Sequence, residues 1–440
     1  MRDADGDTGP LGDSELEALF APFAEAKLIA LAVSGGADSL ALMVGAARWR
    51  RLARGRPALL VLTVDHRLRR GSGDEAAAVA AAAKGRRLKA EVLVRTGAKP
   101  AGDVEAAARR ARYRLLFAAA RAAGASHLLT AHHRDDVAET FLMRLQRGAG
   151  VFGLAAMRPA IPVGDVVLAR PFLDVPRARL AATVAAAGLD PVADPMNADP
   201  RFALARIRAA MPQLAWAGVD AGGIAATARR LAATADAIDA AASAFLATAV
   251  TVDDHAVARL DASAFRDAPE AVATRALTRL LLALGGEDYP PRYRRLMGLA
   301  EALRTSNGSR LKRTLAGTVV EGRGDALVFY REIGRDGLGS MPLKPGTSVV
   351  WDHRFRLTAE PSAASGMNVQ ALGEAARRDR FSAGNTPMQA LAALPAVVRR
   401  GRILCIPALE PARAKGIIVE CLLSRRIAQP PLFPDVFAGE

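Results

Sequence analysis

The chain is poor in cysteine: only Cys405 and Cys421 occur, both near the C-terminus. Two thiols so placed exclude a disulfide framework, a cysteine-bound metal cluster and a Cys-x-x-Cys relay within the chain, and they fit a reducing compartment. Aromatic residues are also scarce, at 5%, whereas Ala and Arg recur throughout, which is a bias of composition and not a functional mark. Met1–Phe20 is polar and acidic with no apolar h-region, so no secretory signal is expected. No long uninterrupted apolar run reads as a membrane span. Internal repeats and a separate basic tail are likewise missing.

What is present is a long, basic chain. Its 440 residues suggest two or three domains, and 51% of them are hydrophobic, enough for packed cores. Lys and Arg outnumber Asp and Glu by 60 to 45, a net charge of +15. Proteins this basic often meet polyanions, nucleic acid first; an arginine-rich source proteome is the plainer alternative. The arginines are spread along the chain, with small groups such as Arg292, Arg294 and Arg295.

Leu28–Val33 reads as a short buried strand, broken by Ser34-Gly35-Gly36 and followed by an apolar helix from about Ser39. Further strands are expected at Ala58–Val64, Ala90–Val94, His127–Ala131 and near Val166–Arg170, with helices at Asp74–Leu88, Glu105–Ala123 and Asp135–Gln146 between them. This alternation implies an α/β fold, a parallel sheet with helices on both faces. Ligands of such sheets bind at the carboxyl ends of the strands. The segments that follow three of the strands, Ser34–Ser39, Asp65–Arg70 and His132–Asp136, all carry chemically capable side chains. Residues 1–24 read as a leader with a short helix near Glu15–Phe20, and 25–215 as the catalytic domain. Residues 216–335 read as a mainly helical domain, all-α from Ala221 to Arg304 and ending in a hairpin around Gly322 and Gly324. Residues 336–440 read as a small α+β domain.

Ser34-Gly35-Gly36-Ala37-Asp38-Ser39 lies between a strand and a helix. Its glycines let the backbone turn tightly and approach an anion, and the free N–H groups at the helix start bind phosphate. Ser34 and Ser39 add hydroxyl donors. Asp38 would repel a bare phosphate, so its presence suggests a bridging Mg²⁺. The loop lacks the Gly-Lys-Ser/Thr of a P-loop and the spacing of a dinucleotide fingerprint. A Ser-capped turn is the bland alternative.

In Ala131–Thr140, Asp136 and Glu139 stand three apart, hence side by side on a helix, and two adjacent carboxylates can hold an ammonium group and take its proton. Two other readings stay open at this point. His132-His133-x-x-Asp136 has the look of a metal site without an evident third ligand, and Asp135 and Asp136 favour a helix N-terminus in any case.

Ser-Gly-Gly-x-Asp-Ser after a buried strand resembles the motif of the PP-loop ATP pyrophosphatases, which implies cleavage of ATP between its α and β phosphates. Within that class, His132-His133-x-x-Asp136-x-x-Glu139-Thr140 resembles the signature of the lysidine synthetases. So do Leu145–Met157, Arg170-Pro171-Phe172-Leu173, Val64-Asp65-His66-Arg67-Leu68-Arg69, Glu105–Tyr113, and Asp194–Asp199 followed by Arg206-Ile207-Arg208. The resemblance runs from about residue 28 to 213 and is looser beyond. Departures are Val137 for a usual Gln, Arg67 for a usual Gly, and the missing Asn beside Arg206.

The resemblance implies an ATP-dependent carbon–nitrogen ligase acting on the wobble cytidine of CAU-anticodon tRNA(Ile). The cytidine C2 oxygen attacks the α-phosphate of ATP and pyrophosphate leaves; the ε-amine of free L-lysine then attacks C2 and AMP leaves. ATP and Mg²⁺ are the implied cofactors. Pyrophosphate falls to Ser34, Gly35, Gly36, Ala37 and Ser39 with Mg²⁺ near Asp38, and adenosine lies near Val64, His66 and Arg69. Asp136 and Glu139 bind and deprotonate the amine, Arg109 or Arg112 neutralises charge on phosphate, and His133 approaches the phosphates. A cytoplasmic protein without membrane contact, a homodimer, and later domains that grip the tRNA backbone are further family expectations. A tRNA thiolase of the same class would need cysteines near the nucleotide, and the first domain has none. A glutamine-dependent synthetase would need a glutaminase nucleophile, and a non-catalytic RNA-binding protein would have no use for the loop or for the carboxylate pair.

Overall fold

The computed structural model describes residues 8–67, 71–95, 104–192, 201, 203–287, 289–305, 311–378 and 383–429. The chain divides into two compact units that change over between Ala235 and Asp236.

The first unit contains strands β1 (Leu28–Ala32), β2 (Ala58–Asp65), β3 (Lys89–Val94), β4 (His127–Leu129), β5 (Ala160–Val163) and β6 (Val166–Ala169). Its main helices are α1 (Asp13–Phe20), α2 (Ala37–Leu52), α3 (Ser72–Gly85), α4 (Val104–Ala122), α5 (Arg134–Gln146), α6 (Val151–Leu154), α7 (Arg177–Ala186) and α8 (Ala203–Trp216). The sheet order is β3-β2-β1-β4-β6-β5, parallel except for β5. Alternation along the strands builds two cores. Ile29, Leu31, Leu59 and Val61 face α2, whereas Ala30, Leu62 and Leu128 face Tyr113, Leu116 and Phe117 of α4. The α/β fold read from the sequence is the fold observed, with its strands within a residue or two of expectation.

Two features depart from expectation. Strand β5 was missed, although the cue is present: Gly164-Asp165 is a two-residue hairpin turn, and Gly164 takes φ 64° as such turns require. The stretch read as a leader is, from Leu11 onward, core. Leu11, Leu16, Phe20 and Phe23 are buried, and Phe20 stacks on Trp49 at 5.3 Å between ring centroids. Glu15 accepts a forked pair of hydrogen bonds from Arg179 at 2.5 and 2.8 Å, and Leu11 N–H donates to Thr183, which fastens the segment to α7. The polar surface of α1 hid an apolar stripe only two residues wide.

A long helix, α9 (Ala221–Ala249), crosses the division between the units. By length and composition it is apolar enough to cross a membrane, because alanine raises its mean hydropathy. Its Asp239, however, is buried and paired with Arg275 through two hydrogen bonds of 2.5 and 2.9 Å, so this stretch packs against protein.

In the second unit the stretch expected to be all-α is interrupted. Strands β7 (Val250–Val252) and β8 (Ala258–Asp261) precede α10 (Ala262–Asp267), α11 (Glu270–Gly285) and α12 (Tyr293–Thr305). They join β9 (Lys312–Leu315), β10 (Thr318–Arg323) and β11 (Ala326–Arg331) in one sheet of order β7-β8-β11-β10-β9. The expected hairpin is β10–β11, and its partner β8 was too short and too mixed in composition to stand out. Residues 341–421 add two small antiparallel sheets, as the α+β reading anticipated.

Phe20→Ala is expected to destabilise the first unit by about 3–5 kcal/mol, as for other fully buried aromatics. Denaturant unfolding followed by Trp fluorescence measures this; a loss below about 0.5 kcal/mol is what a detached leader would give.

Candidate active site

Strands run outward from β1 to β2 and β3, and the chain then returns to place β4 on the other side of β1. The β1–β4 boundary is therefore the switch point of the sheet, where the two succeeding loops diverge and leave a crevice. Register between Ile29 and His127 and between Leu31 and Leu129 brings Ser34–Ser39 and His132–Asp136 to the same end of adjacent strands.

The first loop is shaped by its own hydrogen bonds. Ser34 N–H donates to Ser39 Oγ at 3.1 Å, Ser39 Oγ–H donates to Gly36 O at 2.9 Å, and the two hydroxyls lie 3.3 Å apart. Gly35 takes φ 90°, and a Cβ there would press on Val79 at 3.3 Å, so glycine is required by the chain itself. At Gly36 a Cβ would meet protein only at 3.9 Å; the open space above it is room for a ligand. Gly36 caps α2 in an extended conformation, which leaves the N–H groups of Ala37, Asp38 and Ser39 at the positive end of a 16-residue helix.

His133 caps α5 and is buried, 1% exposed. Its backbone N–H donates to Asp136 Oδ2 at 3.0 Å, and Asp136 N–H points back at Nδ1 at 3.4 Å. The imidazole Nε2 lies 3.5 Å from both Asp38 Oδ2 and Asp136 Oδ2, and Nδ1 lies 3.6 Å from Asp135 Oδ2. Burial disfavours its charge, but the contact with Asp38 and the charges of Asp136, Asp38 and Asp135 outweigh that and raise its pKa. Asp38 is pushed up by burial, yet His133, Arg177 and Arg208 together bring it below the usual carboxylate range. Asp136 goes the other way: burial raises its pKa, Glu139 and Asp38 add to the rise, and His133 only partly offsets them. One crevice thus holds an ionised and a proton-seeking carboxyl.

Asp38 Oδ1 is buried and finds no hydrogen-bond partner among the described residues. An orphaned carboxylate oxygen beside a phosphate loop fits Mg²⁺, which takes one or two protein carboxylates and completes its shell from phosphates and water. No group of three or more His, Cys, Asp and Glu among the described residues is arranged to hold a metal unaided.

Glu139 has a partner that its own motif does not reveal. It is 3% exposed, and both its oxygens are taken by Arg208 of α8, at 2.8 and 2.7 Å. One guanidinium thus engages both oxygens, and the pair ties α8 to α5. The sequence offered Arg208 only inside a longer motif. It offered no sign of Arg177, whose N–H donates to Asp135 Oδ2 at 2.9 Å and whose guanidinium lies 3.9 Å from Asp38. Val137, the departure on α5, is buried against Ala156, Ala225 and Ala228, where an apolar side chain belongs.

On the far side of the crevice the charge reverses. Arg109 and Arg112 flank the buried Tyr113 ring, each 5.5 Å from its centroid. Burial, then Arg170, Arg109 and Arg112, hold His132 well below its ordinary pKa, and its Nδ1 shares a hydrogen bond with Thr130. Burial, Arg112 and Arg95 lower His66 to about 4. Two imidazoles of lowered pKa thus lie among arginines. Val64 lies one residue before the end of β2 and is half-buried; Arg69 and the Asp194–Asp199 stretch lie outside the described residues. Arg67 takes φ 51°, with its N–H on Asp65 Oδ1 at 3.0 Å, a left-handed position that suits glycine better.

A family model described as a PP-loop domain matches residues 12–214. The tRNA(Ile)-lysidine synthase of Rhodopseudomonas palustris is 47% identical over 332 residues, covering 72% of this chain and 94% of its own length. That of Brucella anthropi is 33% identical over 429 residues, 91% of this chain and 90% of its own length. A solved U34-tRNA thiolase, NcsA from Methanococcus maripaludis, overlaps 50% of this chain and 77% of its own at 14% identity and a TM-score of 0.43. A phosphate loop at the switch point of a parallel sheet, within the matched span, defines a PP-loop ATP-binding enzyme. More narrowly, the chain belongs to the tRNA(Ile)-lysidine synthase family and is an ATP-dependent tRNA-modifying ligase.

The raised pKa of His133 has a definite sign in stability. Its charged form stabilises the fold fully below the unfolded value near 6.5, and that contribution is lost as pH rises through the higher folded value. The stability gap between wild type and His133→Asn should therefore be widest at about pH 5–6 and shrink through neutrality. Imidazole NMR should place His66 near 4 and His133 above 6.5.

Arg208→Ala strands a buried carboxylate and should cost about 3 kcal/mol, the lower end for a broken buried pair because Arg208 is a quarter exposed. Glu139→Leu combined with Arg208→Leu should cost clearly less. A double-mutant cycle in urea decides, and simple additivity would refute the coupling.

Proposed function

We propose that the chain converts the wobble cytidine of CAU-anticodon tRNA(Ile) to lysidine, in the cytoplasm, using ATP, Mg²⁺ and free L-lysine. The observation that carries this reading is Asp136, a carboxyl of raised pKa joined to the phosphate loop through His133. Lysine's ε-amine has an ordinary pKa near 10.4 and needs a base before it can attack. A carboxyl whose affinity for protons is raised is suited to that task.

In the first step the target cytosine leaves its stack and presents its C2 oxygen to the α-phosphate of ATP. The O–P bond forms and the bond to pyrophosphate breaks. Ser34, Gly35, Gly36, Ala37 and Ser39 hold the departing pyrophosphate by N–H and O–H donors. Bound Mg²⁺, held by Asp38, would offset the negative charge of the phosphates. Arg109 and Arg112 neutralise charge that builds on the α-phosphate, and His133, protonated between its carboxylates, keeps Asp38 and Asp136 facing the same space. In the second step the amine nitrogen bonds to C2, Asp136 accepts its proton, and AMP leaves with the former C2 oxygen. Glu139 acts through Arg208 as a positioning residue, and Val64 and His66 line the adenosine side. The basic segments 216–335 and 336–440 hold tRNA by its backbone.

Incorporation of radiolabelled lysine into a CAU-anticodon tRNA(Ile) transcript, with ATP and Mg²⁺ and elongator tRNA(Met) as control, tests the reaction. ATP-dependent label on the isoleucine tRNA alone is expected. Asp136→Asn should lower lysine transfer roughly 100-fold, as loss of a general base does, with tRNA affinity nearly unchanged. Parallel loss of both would refute the assigned role.

A further inference from the structure

Helix α12 has an inner face, Leu296, Leu299, Ala300 and Leu303, buried in the core of the second unit. Its start is the reverse. Pro290-Pro291 leads into Arg292, Tyr293, Arg294 and Arg295, all four exposed, with Tyr293 at 61%. Arg292, Arg294 and Arg295 make no ion pair and no side-chain hydrogen bond with the described residues. Other arginines do pair with carboxylates, as Arg323 with Glu321 and Arg356 with Glu420. The first turn of α12 contains no acidic residue, and exposed Glu287, in the preceding loop, engages none of the three.

Folding does not explain this arrangement. Cations at a helix N-terminus oppose the helix dipole. Arg292 and Arg295 stand one turn apart, where like charges repel. An exposed Tyr ring gains nothing from the core. A polyanion reverses each of these terms: it neutralises the arginines, meets the positive helix end, and offers flat groups to the ring.

We propose that Arg292, Tyr293, Arg294 and Arg295 form a contact patch for tRNA, with the guanidinium groups on backbone phosphates and the Tyr293 ring against an unpaired base or a ribose. This deepens the reading that the later segments hold tRNA, and it does not depend on lysine being the nucleophile. An RNA partner is favoured over an acidic protein by the family's substrate and by the net charge of +15.

The test uses the full chain and a CAU-anticodon tRNA(Ile) transcript, with affinity measured between 50 and 200 mM salt, a range chosen on the order of physiological ionic strength. Arg294→Glu with Arg295→Glu should weaken binding roughly tenfold or more and flatten the slope of log Kd against log salt by about 1.4–1.8, the effect of two lost phosphate contacts. The same variant should melt no lower than wild type, because acidic residues suit a helix N-terminus. Tyr293→Ala should weaken binding several-fold while Tyr293→Phe retains it. Arg294→Gln with Arg295→Gln, a milder change, should fall between wild type and the charge reversal. Unchanged affinity and slope in the folded variants would overturn the patch and leave the surface to solvent or an acidic protein. If wild type binds tRNA through the patch yet transfers no lysine, the proposed reaction fails and the patch stands. If wild type transfers lysine and the variants bind as well as wild type, the patch fails alone.

Discussion

His133 is the imidazole on which the candidate site turns. It is buried at the switch point of the sheet, with Asp38 from the loop after β1 and Asp135 and Asp136 from its own helix start around it. Three carboxylates in so small a space would repel one another, and the crevice could not close around them without a cation. His133, whose pKa those carboxylates raise, is the group within the chain placed to supply that charge. Against burial, His133 helps lower the pKa of Asp38, whereas at Asp136 burial, Glu139 and Asp38 outweigh His133 and leave the pKa raised.

Across the crevice the sign is opposite. Burial first, then Arg170, Arg109 and Arg112 at His132 and Arg112 and Arg95 at His66, lower the pKa of both imidazoles. Identical side-chain chemistry is thus pushed two ways: neighbouring carboxylates raise the pKa of His133, and burial among arginines lowers that of its neighbour His132. The sign of the local charge thus changes within a few residues. Burial amplifies both fields, because water is not there to screen them.

Helix α8 ties this electrostatic arrangement to the rest of the first unit. Arg208 on α8 occupies both oxygens of Glu139 on α5 and also bears on Asp136 and Asp38. The pair is costly to bury and costly to break. It fixes where α5 sits, and therefore where Asp136 sits.

Much of this was legible in the residues themselves. The α/β order of the first unit, the phosphate loop and the His132–Thr140 helix start follow from alternating apolar runs, glycines that must turn, and acidic residues that favour a helix N-terminus. These are local properties, written within a few positions of one another. Tertiary structure decided the rest. Nothing local made Glu139 a partner of Arg208, distant by 69 positions. Nothing local placed Arg177 beside Asp38, separated the fates of His132 and His133, or drew Leu11 to Phe23 into the core. Strands β7 and β8 were hidden for the same reason, since their identity lies in pairing with each other and, for β8, with β11, and not in their own composition. The sequence alone determined which groups were on hand and which local turns they take. Which groups meet, and therefore which carry charge, depended on long-range packing, because a pKa is set by burial and neighbours that only the folded chain supplies.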